Sequence, residues 1–432
     1  MLDINYIRQN PEKVKRDTAS KNKNPELVEK VLDLDKKRRN LIAQIEELRA
    51  KRNEIAKKGK ASNEGKKIKE ELKEIEPKLE EVERDYKNIL YQIPNIIAEG
   101  VIVGKDESEN KVLRKWGKIP KFNFDVKDHL EIGQALGIID TETAAKVSGA
   151  RYAYLKGEGA LLEFALVMFA FETLMNKRVL EEIAKRVEKG YTAKPFVPVV
   201  PPQMIKPDVY VKMARLGPDT IEERYHLPKD DIYLVGSAEH TLGPMHMDEA
   251  IPEDNLPLRY VGFSTSFRRE AGSYGKDTKG ILRVHQFDKV EMESFTTPDN
   301  SIKEQDFFVG VQEYLMQALG IPYQVVSICT GDMGGPDYRQ IDIESWMPGQ
   351  GKYRETHTSD LMTDYQSRRL NTKVKRKDGS TELVHMNDAT AFAIGRTIIA
   401  IVENYQQKDG SVKIPKVLQK WMGMDKITLS KV

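Results

Sequence analysis

Phe267-Arg268-Arg269-Glu270 closes a β-rich run, LPLRYVGFSTSFRRE, and Ile281 to Glu291, ILRVHQFDKVE, opens the next one. Between them Ala271 to Gly280, AGSYGKDTKG, is glycine-rich and suits a loop. The spacing predicts an antiparallel hairpin whose two strands carry charge towards a common place. Arginine offers a planar fork for phosphate or carboxylate, and a carboxylate such as Glu270 accepts from amino groups. Taken alone, the pair reads first as a cross-strand salt bridge.

The neighbouring stretches decide between these readings. Asp342 and Glu344 alternate in QIDIESW and so share a strand face. Glu355-Thr356-His357-Thr358 follows, with Asp360 close behind. Carboxylate and hydroxyl oxygens are hard ligands for Mg²⁺, which takes one or two carboxylates plus substrate phosphates. Gly395-Arg396 then opens an apolar helix, TIIAIVENY. The helix dipole disfavours an arginine there unless it holds an anion. Neither G-x-x-x-x-G-K-[ST] nor a G-x-G-x-x-G after a strand occurs, so P-loop and Rossmann readings have no support. Arginines for phosphate and oxygens for a metal fit nucleotidyl transfer on an antiparallel sheet. His357 either touches the nucleotide or is structural. His240 and His285 read as structural, and Cys329 as a buried apolar residue.

Outward from this hairpin, residues 159–189 read as one long amphipathic helix ended by Gly190, and further helices are expected over Glu304–Leu319 and Ala389–Gln406. Short β-rich runs broken by Pro and Gly lie between. Strands in runs, with helices set apart, predict an α+β domain. The first hundred residues differ. Leu27, Val31, Leu34, Leu41, Ile45, Leu48 and Ile55 recur at steps of three and four, with Arg38 and Arg52 filling the two missing seam positions. Ile68, Leu72, Ile75, Leu79, Val82, Tyr86 and Ile89 repeat the pattern. These are coiled-coil heptads, and AKKGKASNEG between them suits a turn. The expectation is an antiparallel hairpin over about 27–91 with its tip at about 56–66, each arm roughly 45–50 Å long at ~1.5 Å per residue. Pro77 should kink the second arm or remove a backbone bond. The predicted domains are 1–110 with the hairpin, a linker at 111–130 and a catalytic domain at 131–432.

Net charge is only +2, so any polyanion surface must be local. It is: Arg49, Lys51, Arg52, Lys57, Lys58, Lys60, Lys66, Lys67 and Lys69 crowd the tip against Glu54 and Glu64. Basic charge at the end of a rod favours phosphate contact, although a solvated helix face is the ordinary alternative. A single cysteine excludes internal disulfides, and no zinc is expected. No apolar run reaches signal-peptide or membrane-span length, so a cytoplasmic protein without a membrane partner is expected.

Phe-Arg-x-Glu with its loop and second strand resembles motif 2 of the class II aminoacyl-tRNA synthetases. Gly395-Arg396 resembles motif 3, and Pro201 in VVPP the motif 1 proline. MLDINYIRQNPEKVK, DHLEIGQALGIID, AAKVSGARYAYLKGEGA, RVHQFDKVEM, CTGDMGG and AIGRTIIAIVENYQ are similar to the seryl family in particular. The resemblance implies a class II antiparallel catalytic sheet flanked by helices. It implies activation of L-serine with ATP and Mg²⁺, then transfer to tRNA(Ser), and possibly tRNA(Sec), by a homodimer. The long variable arm of the tRNA would lie on the hairpin. Arg268 would bind the α-phosphate and the serine carboxylate, and Arg396 the γ-phosphate. Arg269, Glu270, Val284, Thr356 and His357 would join them at ATP, and Glu355 and Thr358 would hold Mg²⁺. Ser237-Ala238-Glu239, Glu291, Asp388 and Thr390 would form the serine pocket. Ser237, Asp388 and Thr390 depart from the family's usual Thr, Asn and Ser, which leaves open a shifted amino-acid preference. A transfer to a carrier protein and a non-catalytic tRNA-binding paralogue are the remaining alternatives.

Overall fold

The computed structural model describes residues 1–57, 63–271 and 279–429 and divides the chain into two compact units, Met1–Ile97 and Ala98–Val432. The tip residues Lys58 and Lys60, with the rest of 58–62, lie outside the described residues, as does 272–278 of the motif 2 loop.

In the first unit two long helices, Glu26–Lys57 and Asn63–Gln92, pack along the predicted seam. Ile45, Ile68 and Leu72 are buried, with Leu48, Ile55, Ile75 and Leu79 packed on them. Arg38 meets Glu83 at 3.1 Å and Arg49 meets Glu76 at 2.8 Å, so rising numbers on one helix face falling numbers on the other. The helices are antiparallel. Arg38 keeps its seam position because its guanidinium also lies 5.6 Å from the Tyr86 ring centroid. The second helix runs through Pro77 without ending there. At the other end of the arm, buried Asp35 accepts from Arg8 at 2.7 and 2.8 Å and from Arg39 at 3.0 Å.

The second unit is built on an eight-stranded sheet. In chain order its strands are β1 (Lys111–Trp116), β2 (Val197–Val199), β3 (Leu258–Phe267), β4 (Gln286–Thr296), β5 (Tyr323–Ser327), β6 (Arg339–Met347), β7 (Lys352–Thr363) and β8 (His385–Ala393). The spatial order is β1-β5-β6-β7-β8-β4-β3-β2, antiparallel except for the β2–β3 pair. The α+β class follows. Residues 111–116, within the stretch expected as linker, form an edge strand because they pair with Tyr323–Ser327.

Helices Glu158–Met175, Ser301–Leu319 and Ile394–Asn404 contribute to the main core, together with apolar side chains of the sheet. Two buried glutamines pin the sheet to the middle helix. Gln305 Nε2 donates to the carbonyls of Arg339 and Ser359, and Gln312 Nε2 to those of Thr358 and Thr390. Thr358 and Thr390 are both expected site residues, so the core braces the site from behind.

Two helix expectations need correction. The run 159–189 is broken at Asn176, whose backbone is extended and whose side chain caps Arg178 N and Val179 N. The Leu174 carbonyl accepts from Phe196 instead of continuing the helix. The helix expected from Ala389 starts at Ile394, because Asp388–Ala393 belongs to β8 and pairs with β4, with Asp388 and Ala389 also paired to β7.

Candidate active site

The predicted hairpin forms, with Phe267 opposite Gln286 and Glu291 opposite Gly262. Beyond the strands, Arg268 N donates to the His285 carbonyl and His285 Nδ1 meets the Arg268 carbonyl, both at 3.0 Å. His285 is therefore structural, and it fixes the backbone that carries Arg268. The Arg268 Nε donates to the Gly236 carbonyl at 3.1 Å, and its guanidinium lies 5.3 Å from the Phe287 ring centroid. Glu270, at φ +52°, turns back to pair with Arg283 at 2.6 Å.

A cavity opens beside this hairpin. Its walls include Arg268, Glu270, Arg283, Val284, Phe287, Lys289, Glu355, Thr356, Thr358, Thr390 and Arg396. Strand alternation alone would put Glu355 and Thr358 on opposite faces. The β6–β7 register slips between Ile343 and Glu344, opposite His357 and Glu355, so Thr356 is an extra residue. That bulge re-aims the chain, and the Thr358 hydroxyl comes to 3.5 Å from Glu355 Oε1. A second slip, between Val290 and Glu291, leaves Ala391 unpaired and brings Thr390 and Ala393 to the same cavity. Both bulges border the site.

Arg396 bridges the cavity: its Nη1 meets the Glu355 carboxylate and the Glu355 carbonyl, each at 2.9 Å. Burial pushes the Glu355 carboxyl up, but Arg396 and Arg268 outweigh it and hold it below the usual range. Beneath this polar wall lies the pocket expected for the amino acid. Buried Lys289 donates to Ser237 Oγ at 3.0 Å and pairs with Glu291 at 2.7 Å. Ala238 is buried, and Glu239 meets His240 Nε2 at 3.3 Å. Asp388 lies 3.0 Å from Arg215. Glu291 is pushed up to about 8, by burial and then by Glu239 and Asp388, against the pull of Lys289. Asp388 is pushed up to about 7, by burial and by Glu239, against the pull of Arg215.

Two expected nucleotide residues are not brought in. Arg269 sits 5.4 Å from the Tyr225 ring centroid and is not in the cavity wall. His357 is buried beside Phe392, with Nδ1 at 2.8 Å from Thr356 Oγ1, and burial depresses it to about 3. The Thr356 bulge sends Thr358 outward and turns His357 into the core. Asp342 and Glu344 also stay out of the cavity wall; Glu344 accepts from Gln324 at 2.5 Å. Conversely Lys289, Arg283 and Arg215 were not expected. The signal for Lys289 was available, since Lys289, Glu291 and Glu293 alternate with apolar Val290 and Met292. Arg215 and Arg283 gave none, because their partners are distant in sequence or across the loop.

The family comparisons agree with this geometry. Residues 1–97 match the model of the seryl-tRNA synthetase N-terminal domain, and residues 222–405 that of the class II tRNA synthetase core domain for G, H, P, S and T. The chain is 39% identical to the serine–tRNA ligase of Dictyoglomus turgidum, covering 99% of each chain. This chain belongs to the seryl-tRNA synthetase family. The corresponding ligase of Thermodesulfovibrio yellowstonii is 40% identical, covering 99% of this chain and all of the relative. Among solved structures, seryl-tRNA synthetase from Pyrococcus horikoshii complexed with ATP superposes over the whole of both chains with a TM-score of 0.90 at 38% identity. As a seryl-tRNA synthetase family member the chain is an aminoacyl-tRNA ligase with a class II core.

Proposed function

We propose that this chain activates L-serine with ATP and then loads the seryl group onto tRNA(Ser). The observation that carries this reading is the union, in one place, of phosphate-binding cations with a small buried polar pocket: Arg268 and Arg396 above, Lys289, Ser237 and Glu291 below. In the first step a serine carboxylate oxygen attacks the α-phosphorus, the bond to the β-phosphate oxygen breaks, and pyrophosphate leaves with the electron pair. Arg268 holds the carboxylate and α-phosphate in line and meets the charge that develops there. Arg396 takes the γ-phosphate, while Glu270 and the Val284 backbone face the nucleotide base. In the second step a terminal ribose hydroxyl of the tRNA attacks the seryl carbonyl carbon, and AMP leaves.

Glu355 and Thr358 present hard oxygens 3.5 Å apart on the cavity wall, which fits a Mg²⁺ completed by substrate phosphates. Bound there, the ion would neutralise phosphate charge. Ser237, Ala238, Glu239, Glu291, Asp388 and Thr390 receive the amino acid, with Glu291 accepting from its ammonium. The exposed tip residues Arg49, Lys51, Arg52, Lys57, Lys66 and Lys67 receive tRNA phosphates. Homodimer formation through the Pro201 region is supported by exposed Leu161, Phe164, Met168 and Met175 on the neighbouring helix. The expected compartment is the cytoplasm, and among the described residues no helix is long and apolar enough to cross a membrane.

Pyrophosphate exchange with serine, threonine, alanine and glycine side by side tests the assignment. Serine is expected to lead each competitor by about tenfold or more in kcat/KM; a lead for any other amino acid would overturn it. The same assay carries a pH signature. Glu291, at about 8, binds a cationic ammonium best when ionised, and Asp388, at about 7, accepts a hydroxyl best when ionised, so binding releases protons. KM for serine should therefore fall as pH rises from about 6.5 to about 8, by up to about tenfold per unit for each coupled proton. A flat profile would show that neither carboxyl meets the substrate in its ionised form.

A further inference from the structure

Three carboxyl groups stand in a row across three neighbouring strands. Glu293 on β4 is opposite Asp388 on β8, and Asp388 is opposite Asp360 on β7. All are buried, and like charges directly opposite one another destabilise a sheet. Neither oxygen of Glu293, nor Oδ1 of Asp360, finds a hydrogen-bond partner among the described residues. The Arg215 guanidinium serves the row: its Nη2 lies 3.0 Å from Asp388 Oδ2 and 3.7 Å from Asp360 Oδ2. Arg215 follows Ala214, whose φ of +58° is left-handed, a conformation costly for a residue with a Cβ. The chain accepts that strain where it delivers Arg215 to the row. Thr390, two residues beyond Asp388 on the same strand face, lines the cavity, so the row continues that face inward from the cavity wall.

We infer that Arg215 is a positioning residue for amino-acid selection: it orients the Asp388 carboxylate and favours its ionised form as the acceptor for the hydroxyl of the substrate side chain. This rests on the serine-activation reading above. An ionised carboxylate is an acceptor only. A substrate with a hydroxyl satisfies it, whereas an amino acid lacking one leaves a buried charge short of a partner, which is the strong form of discrimination. Arg215 stands outside the cavity wall that faces the nucleotide, so its effect is confined to the amino-acid end.

The test is pyrophosphate exchange by the full-length protein with serine and with alanine, beside thermal melts, for wild type, Arg215→Gln, Asp388→Asn and the double variant. Arg215→Gln should raise KM for serine about tenfold or more, leave KM for ATP within about threefold, and lower the serine-to-alanine ratio of kcat/KM about tenfold or more. A neutral amide in place of the Asp388 carboxylate needs no counter-ion, so the double variant should lose less than the two single variants added together. Unchanged serine KM and selectivity in Arg215→Gln would overturn the inference. So would strictly additive losses that follow the melting temperatures, which would mark Arg215 as packing alone. Wild-type protein with no serine-dependent exchange would instead remove the reading on which the inference rests.

Discussion

Arg268→Ala should lower serine-dependent pyrophosphate exchange by about 10³ to 10⁵-fold, the range for an arginine that meets transition-state charge at a transferring phosphoryl group. In the proposed reading Arg268 joins the two halves of the site. It leans on the Phe287 ring and on the Gly236 carbonyl, immediately before Ser237 of the amino-acid pocket. Its truncation removes one hydrogen bond to a backbone carbonyl, worth about 1 kcal/mol of folding stability, so the melt should hardly move. Its backbone remains held by His285. Arg268→Lys keeps the charge and loses the fork, and should fall in between. Exchange by Arg268→Ala within about tenfold of wild type, well short of that range, would show that the α-phosphate and the serine carboxylate are held by other groups.

The hairpin prediction concerns transfer and not activation. Removing residues 42–78 and closing the arm with a short turn should leave exchange within about threefold and lower tRNA charging about 10³-fold or more, as expected when several cations no longer meet phosphates. The cut is placed beyond Arg38–Glu83 and the Arg8–Asp35–Arg39 cluster, which remain to hold the base of the arm. The catalytic sheet and its core lie wholly within Ala98–Val432, so activation does not depend on the arm for its fold. Replacing Lys51, Arg52, Lys66 and Lys67 by Glu separates charge from length. Charging should fall, and the dependence of its KM on salt should become shallower by about 0.7 to 0.9 in log–log slope for each phosphate no longer neutralised. Normal charging by the shortened protein would mean that the arm serves another purpose. Lys51 already pairs with Glu47 at 2.6 Å and Arg49 with Glu76 at 2.8 Å. Those two must exchange partners to reach a phosphate, so Arg52, Lys66 and Lys67 should carry the larger share.

Local patterns were legible wherever the period of the chain is unbroken. Heptad steps from Leu27 to Ile89 determined an antiparallel hairpin, because only one face of each helix could be apolar, and Ile45, Ile68 and Leu72 of that seam are buried with Leu48, Ile55, Ile75 and Leu79 packed on them. The residue types around Phe267–Glu270, Glu355–Thr358 and Gly395–Arg396 determined that phosphate chemistry was available. The tertiary structure decided which of those residues meet. Period-two alternation gives a strand's two faces only up to a bulge, and bulges are set by pairing with distant strands. Thr356 and Ala391 are such extra residues, so Thr358 and Thr390 reach the cavity while His357 turns into the core. The carboxyl row lay beyond sequence reading for the same reason. Glu293, Asp360 and Asp388 become neighbours through cross-strand register, and Arg215 reaches the row from a loop 173 positions before Asp388, a convergence that no local pattern encodes.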